Sequence, residues 1–203
     1  AAHFHESITA EIGWTLAPFL ILVVASIPAA KLLIEMSNPA AVERREAAKQ
    51  GVVLDIPDYD MSIKVTAYQW KWGYNYIPDG KYVPEGTNVE IFSTLDAKHN
   101  EIRQLGHLGN GLMVDKSKFP ENYLLEVDNR LVVPVNTRIR FLVTSNDVIH
   151  AFWVPEAVPK IDANPGYINK TFTKINKPGV YRGVCAELCG RDHGFMPIVI
   201  EAV

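Results

Sequence analysis

Hydrophobic and polar positions divide this chain into two regimes. From Ile12 to Ala30 no residue is charged, an apolar run long enough to cross the hydrocarbon core of a bilayer as one helix. Trp14 suits an interface, and Lys31 can snorkel to the far one. Pro18 and Pro28 would kink such a helix, which bundled membrane helices tolerate. A secretory signal is the competing reading. Glu6 and Glu11 precede the run where a signal has a basic cluster, and no small-residue cleavage site ends it cleanly. Residues 37–60 are polar and charged, with a helical pattern from Pro39 to Lys49. At Met61 the period changes. Met61–Gln69 alternates, and Asn88–Ser93, Leu131–Pro134, Thr137–Val143, Ile168–Ile175 and Pro197–Glu201 are short strand-like runs separated by Pro, Gly and Asn. The pattern predicts a flanking segment at 1–11, a transmembrane helix at 12–36, a linker at 37–60 and a mainly β domain, a sandwich or barrel, at 61–203.

Composition fits one modest domain plus an anchor: of 203 residues 48% are hydrophobic, with thirteen Pro and thirteen Gly punctuating the strands. The net charge of −3 would suggest an acidic face, but residues 61–203 hold sixteen Lys and Arg against fifteen Asp and Glu. The surplus acid lies in the first sixty residues, so any charge-steered docking must rest on local clusters. All of Lys31, Arg44, Arg45 and Lys49 follow the apolar run and no Lys or Arg precedes it, so a positive-inside count puts the large domain in the cytoplasm. There is no phosphate-binding glycine loop, no nucleophile–base pair and no basic stripe for nucleic acid.

The chemistry is concentrated in Cys185-Ala-Glu-Leu-Cys189-Gly-Arg-Asp-His193-Gly-Phe-Met196, which contains the only two cysteines of the chain. Thiolate, imidazole and thioether together suit copper. A disulfide between the two cysteines would explain neither His193 nor Met196. Structural zinc would need a second imidazole and has no use for a methionine. Covalent haem attachment wants Cys-x-x-Cys-His, and a mononuclear blue-copper site takes one cysteine. Two thiolates four positions apart can bridge a pair of copper ions, each ion then needing one His and one weak ligand. His150 is the candidate second imidazole, because it follows the alternating segment Arg138–Thr144 and precedes a turn at Pro155, at a strand end. Copper ligands on the loop before the last strand make a cupredoxin-like Greek key the expected fold, anchored by one N-terminal transmembrane helix.

Residues 147–203, with Val-Ile-His150-Ala-Phe-Trp-Val-Pro, Asp162-Ala-Asn-Pro-Gly and the Cys/His/Met loop, closely resemble subunit II of the haem-copper cytochrome c oxidases. The resemblance extends over nearly the whole chain, through Ala67-Tyr-Gln-Trp70-Lys-Trp72-Gly and Leu124-Leu-Glu-Val-Asp128. It implies that His150, Cys185, Cys189, His193 and Met196 bind the dinuclear copper centre called CuA, two copper ions in all, and that Glu187 gives its backbone carbonyl to one of them. The Glu187 side chain would then reach a magnesium or manganese ion shared with subunit I, for which a carboxylate is suited. Trp70 is the implied entry point for electrons from cytochrome c. Trp72, two positions on in what reads as one strand, is read as packing. Asp128, Asp147 and Asp162 match docking acids or their neighbours, while Asn146 stands where many relatives have an acid. Glu11 matches a carboxylate near the mouth of a proton-uptake path. His3, His5, His99 and His107 receive no role, and Asn169-Lys-Thr is a glycosylation triplet by pattern only.

That family passes electrons from cytochrome c to haem in subunit I, with oxygen reduction and proton pumping elsewhere in the complex. Its partners would be cytochrome c, subunit I and other oxidase subunits, and the membrane. Its place would be the bacterial inner membrane with the copper domain on the periplasmic side, or the mitochondrial inner membrane equivalent, against the positive-inside count. Members have two membrane helices, and the apolar run here matches the second. Three rivals differ in visible features. A carrier like nitrous oxide reductase has the same copper loop in a far longer chain with a propeller. A quinol oxidase subunit lacks the copper ligands, and a copper chaperone with two thiols would need a thioredoxin-like βαβ pattern.

Overall fold

The computed structural model describes residues 6–79, 81–107 and 119–203, the side chains of 105–107 excepted. His3, His5 and the His107 side chain lie outside this description. Two compact units emerge, residues 1–38 and 39–203. The first is built on α1 (Ile8–Ser37), whose apolar side chains are exposed along its whole length. At about 1.5 Å per residue its thirty residues exceed the roughly 30 Å hydrocarbon core. It therefore begins before the uncharged run and ends after it. Pro18 and Pro28 are both inside it.

The second unit opens with α2 (Pro39–Lys49). This segment, expected as linker, belongs to the larger unit, where Glu43 pairs with Lys174 at 2.8 Å and Arg138 at 3.3 Å. Arg138, only 7% exposed, also forms a two-pronged pair with Asp60 at 2.8 and 3.0 Å. The guanidinium bonds hold the Asp60 carboxyl below its ordinary range, outweighing the burial that opposes ionisation.

Among the described residues, ten strands form two five-stranded sheets facing each other across one apolar core. The first sheet has the order β3 (Val89–Ser93), β2 (Lys71–Ile77), β1 (Met61–Tyr68), β5 (Arg138–Ser145), β8 (Asn169–Lys174). The second runs β4 (Leu131–Val133), β10 (Pro197–Ala202), β9 (Gly179–Cys185), β6 (His150–Val154), β7 (Val158–Ala163). β1 pairs parallel with β5 and β4 parallel with β10, while the other ladders are antiparallel. Alternation made β1 and β5 legible: Ile63, Val65, Ala67, Ile139, Phe141 and Val143 are all fully buried, with Lys64 exposed between them. Strands β7 and β9 were not read from the sequence, because Pro159 and Asp162 in one and three polar or glycine positions in the other break the period. Nor was α3 (Ala97–His107), a mostly polar helix whose start is fixed by Asp96, which accepts the Lys98 and His99 amides at 3.0 and 3.3 Å.

A two-residue turn, Gln69-Trp70, joins β1 to β2, with Tyr68 paired to Lys71. Trp70 therefore sits in a turn and only Trp72 in the strand, which corrects the expectation of one continuous segment. Trp72 is fully buried and edge-on to Phe152 and His150, with ring centres 5.3 and 6.1 Å away. It packs the floor beneath the copper-type donors.

Candidate metal centre

Three elements bring the sulfur and nitrogen donors together. His150 opens β6 and Cys185 closes β9, adjacent antiparallel strands in which Phe152 stands opposite Cys185. The loop after β9 carries Cys189, then a 3₁₀ turn, His193–Phe195, and Met196 just before β10. Pairing is tight because residue 183 is glycine. A β-carbon there would lie 1.9 Å from the Trp153 carbonyl oxygen, so only a hydrogen lets β9 approach β6 this closely.

The Cys185 and Cys189 sulfurs lie 3.9 Å apart, both cysteines free and buried. A metal–thiolate bond runs about 2.3 Å, so this spacing fits two sulfurs sharing an ion at a near-tetrahedral angle. His150 Nδ1 is 3.8 Å from Cys185 Sγ, and these donors with Cys189 form a trio within 4.8 Å of one another. His193 lies outside that trio, its Nδ1 3.6 Å from Cys189 Sγ. Met196 Sδ is also 3.6 Å from Cys189 Sγ, and the Glu187 carbonyl accepts from Cys185 Sγ at 3.3 Å. Each sulfur thus has an imidazole and a weak donor beside it. A soft, two-sided donor set of this kind fits copper as a pair better than any single ion.

Asp147, three residues before His150, fixes the imidazole. Its Oδ1 lies 2.9 Å from Nε2, so Nε2 keeps the proton and Nδ1 is left as the donor facing sulfur. The same carboxylate accepts the Gln69 and Val148 amides, each at 2.7 Å. Burial alone would raise the Asp147 pKa, but the His150 bond and these two amides bring it below the ordinary carboxylate range. Burial likewise disfavours a charged His150, yet Cys185 and Asp147 raise its pKa. For Cys185, burial is outweighed by the His150 imidazole and the backbone, which bring the thiol to about 7. Cys189 is pushed up to about 12 by burial and by the neighbouring thiolate. In the metal-free pair one proton is therefore held tightly, and metal binding has to expel it.

Trp70 is half-buried against the same loop, its Nε1 donating to the Cys189 carbonyl at 3.3 Å beside Gln69, which donates at 2.8 Å. Gly190, with φ +120°, makes room for the indole: a β-carbon there would sit 3.1 Å from it. Trp72 donates to the Met196 carbonyl at 3.3 Å. Both indoles thus touch the donor loop through hydrogen bonds that sequence reasoning did not find. Asp147 as orienter was also missed, although an acid three residues from a candidate ligand was a usable signal.

The remaining predicted carboxylates are not themselves among the donors. Glu187 is exposed. Asp128 accepts from Thr94 N and Oγ1 at 2.7 and 2.9 Å and from its neighbour's amide at 2.8 Å, the arrangement of a turn-forming carboxylate. Asp162 is exposed on β7, next to Ala163, which pairs with His150. Glu11 lies in the first turn of α1, where its carboxylate accepts the Ser7 amide at 3.4 Å.

Residues 61–203 match the family model described as cytochrome C oxidase subunit II, periplasmic domain. A probable cytochrome c oxidase subunit 2 of Rickettsia prowazekii (strain Madrid E) is 42% identical over 202 residues, covering 100% of this chain and 52% of the relative. Cytochrome c oxidase subunit 2 of Pneumocystis carinii is 36% identical over 206 residues, covering 99% of this chain and 68% of its own length. The crystal structure of the periplasmic domain of subunit II of cytochrome oxidase from Bradyrhizobium japonicum superposes with a TM-score of 0.56 at 40% identity, over 73% of this chain and 87% of that one. The chain spans about half the length of the Rickettsia relative. With the donors gathered at one end of a two-sheet domain and the likeness covering that whole domain, the chain belongs to the cytochrome c oxidase subunit II family.

Proposed function

We propose that this chain is the electron-accepting subunit of a cytochrome c oxidase, taking electrons from cytochrome c at a dinuclear CuA centre and passing them to haem in subunit I. The observation that carries this reading is the pair of thiols 3.9 Å apart with one imidazole beside each. His150, Cys185, Cys189, His193, Met196 and the Glu187 carbonyl would hold two copper ions. When bound, such a pair supplies one-electron chemistry in which the charge is spread over two metals and two sulfurs. The protein's part is to prevent rearrangement. Asp147 fixes the His150 ring, Trp72 ties the Met196 carbonyl, and burial of both cysteines keeps water from the sulfurs.

Trp70 serves as the entry point, supported by its contact with the Cys189 carbonyl. Docking of cytochrome c rests on Asp162 and, more weakly, on Asp128 and Asp147, whose oxygens already bind neighbouring amides. The exposed Glu187 carboxylate is directed to a magnesium or manganese ion shared with subunit I. Glu11 contributes to proton entry. The α1 helix anchors the subunit in the bacterial inner membrane with the copper domain in the periplasm, or in the mitochondrial equivalent. The family's periplasmic description and the uncharged length of α1 support this.

The test is metal loading of the full chain in detergent. Two coppers per chain with a seven-line mixed-valence EPR signal are expected. One copper with a four-line signal, or preference for zinc, would overturn the reading.

A further inference from the structure

The turn that carries His193 is gripped from outside by a residue of α3. In Asp192-His193-Gly194-Phe195-Met196 the two candidate ligands alternate with Asp192 and Phe195, and both of these meet one side chain, Arg103. Arg103 Nη1 donates to Asp192 Oδ1 at 3.1 Å, in an ion pair whose side chains are each only 16% exposed. The guanidinium carbon lies 4.1 Å from the centre of the Phe195 ring. Arg103 Nε donates to Asn100 Oδ1 at 2.7 Å, one turn back on its own helix. One edge, the face and the inner nitrogen of the guanidinium are thus all engaged, which a lysine could not reproduce.

The helix that presents Arg103 is itself fixed. Asp96 caps its start, and His99, 4% exposed, accepts the Leu124 amide on Nδ1 at 3.2 Å and lies against Tyr123. His150 and Cys185, by contrast, are held by the β6–β9 ladder, and Cys189 by the carbonyl contacts of Gln69 and Trp70. Within the turn, the His193 and Phe195 amides bond only one turn back, to Gly190 and Asp192 at 3.2 and 2.9 Å. Asp192 Oδ2 also pairs with its exposed neighbour Arg191 at 3.3 Å, but that residue belongs to the same loop, whereas Arg103 ties Asp192 and Phe195 to a separate element, α3.

We propose that Arg103 is a positioning residue for the copper centre: it clamps the His193–Met196 turn through Asp192 and Phe195, so that α3 sets the geometry of the second half of the site. This rests on the copper reading above. Groups that orient a ligand commonly change metal affinity by about 10–100-fold when removed. Loss of the clamp should act on the His193 side and leave the His150–Cys185 side in place.

The experiment uses the full chain in detergent, loaded with copper, as wild type, Arg103→Gln, Arg103→Lys and Asp192→Asn. Release of copper to a chelator, the EPR hyperfine pattern and the thermal midpoint of the copper-free protein are measured. Arg103→Gln is expected to release copper at least about tenfold faster and to alter the hyperfine pattern, with the copper-free midpoint little changed. Arg103→Lys should be intermediate, and Asp192→Asn should add little to Arg103→Gln when combined. Wild-type release and spectrum in Arg103→Gln overturn the clamp. If Arg103→Gln does not fold, Asp192→Asn and Phe195→Leu decide on the same readouts. A wild type without the mixed-valence signal would instead overturn the copper reading itself.

Discussion

Gly183→Ala tests the reasoning most directly, because its effect follows from one short distance. The added methyl carbon would lie 1.9 Å from the Trp153 carbonyl oxygen, 2.8 Å from its carbon and 2.9 Å from Val154 Cα. All three are backbone atoms, so no side chain can swing away. Separation to at least 3.0 Å requires β9 and β6 to part by more than 1 Å just where they pair Phe152 with Cys185 and Trp153 with Val184. Overpacking of this kind costs about 1–3 kcal/mol, and the upper end applies where backbone must move. At roughly 2–4 °C per kcal/mol for a unit of this size, the melting temperature should fall by about 6–12 °C. The same displacement separates His150 from Cys185 by more than the ~0.5 Å that a functional constellation tolerates. Copper content should therefore fall as well, most visibly below the new melting temperature, where the protein is still folded. Circular dichroism melts and copper analysis of the folded fraction check both parts. A melting temperature within 2 °C or so of wild type, or full copper in the folded variant, would refute the close-approach argument.

Four further outcomes follow from other parts of the structure. Asp147→Ala should weaken copper binding by about 10–100-fold in a chelator competition, because His150 loses the bond that fixes its tautomer; unchanged affinity would mean that the ring is oriented by packing alone. The Asp60 pKa is lowered in the folded state, so the stability from its pair with Arg138 is present above the ordinary carboxylate pKa of about 3.9 and is lost as pH falls through the folded value. Asp60→Asn should flatten the acid limb of a stability-versus-pH curve, and an unchanged limb counts against the pair. Trp72→Phe should lower stability, since the indole is fully buried and bonded to the Met196 carbonyl, whereas Trp70→Phe should slow electron entry from cytochrome c with little loss of docking; stopped-flow reduction separates the two. Glu187→Gln should keep the copper spectrum but weaken manganese EPR in the assembled oxidase, because the predicted copper donor is the backbone carbonyl and an amide is a poorer ligand for a hard cation.

The sequence by itself determined those features whose signal is local. Nineteen residues from Ile12 to Ala30 without a charge made a long apolar helix unavoidable, and alternation marked β1 and most of β5. The donor set within twelve residues pointed to soft metals, since neither a disulfide nor structural zinc accounts for two thiols, an imidazole and a thioether together. Elements that hide their period, β7, β9 and α3, were not legible, because proline, glycine and polar residues in them are explained only by what they face across the fold.

What the tertiary structure decided are the contacts between residues far apart in the chain. His150 and Cys185 meet through a strand pairing that depends on the absence of a side chain at 183. Arg103 reaches Asp192 across 89 positions, and Gln69 and Trp70 reach Cys189 across 120 and 119. Even the neighbouring pair Asp147 and His150 acquires its meaning only when β6 and β9 turn one ring nitrogen toward sulfur and the other toward the carboxylate. Residue types set which atoms could bind a metal, but distance and orientation between strands set which of them come together, and those arise from packing two sheets around one core.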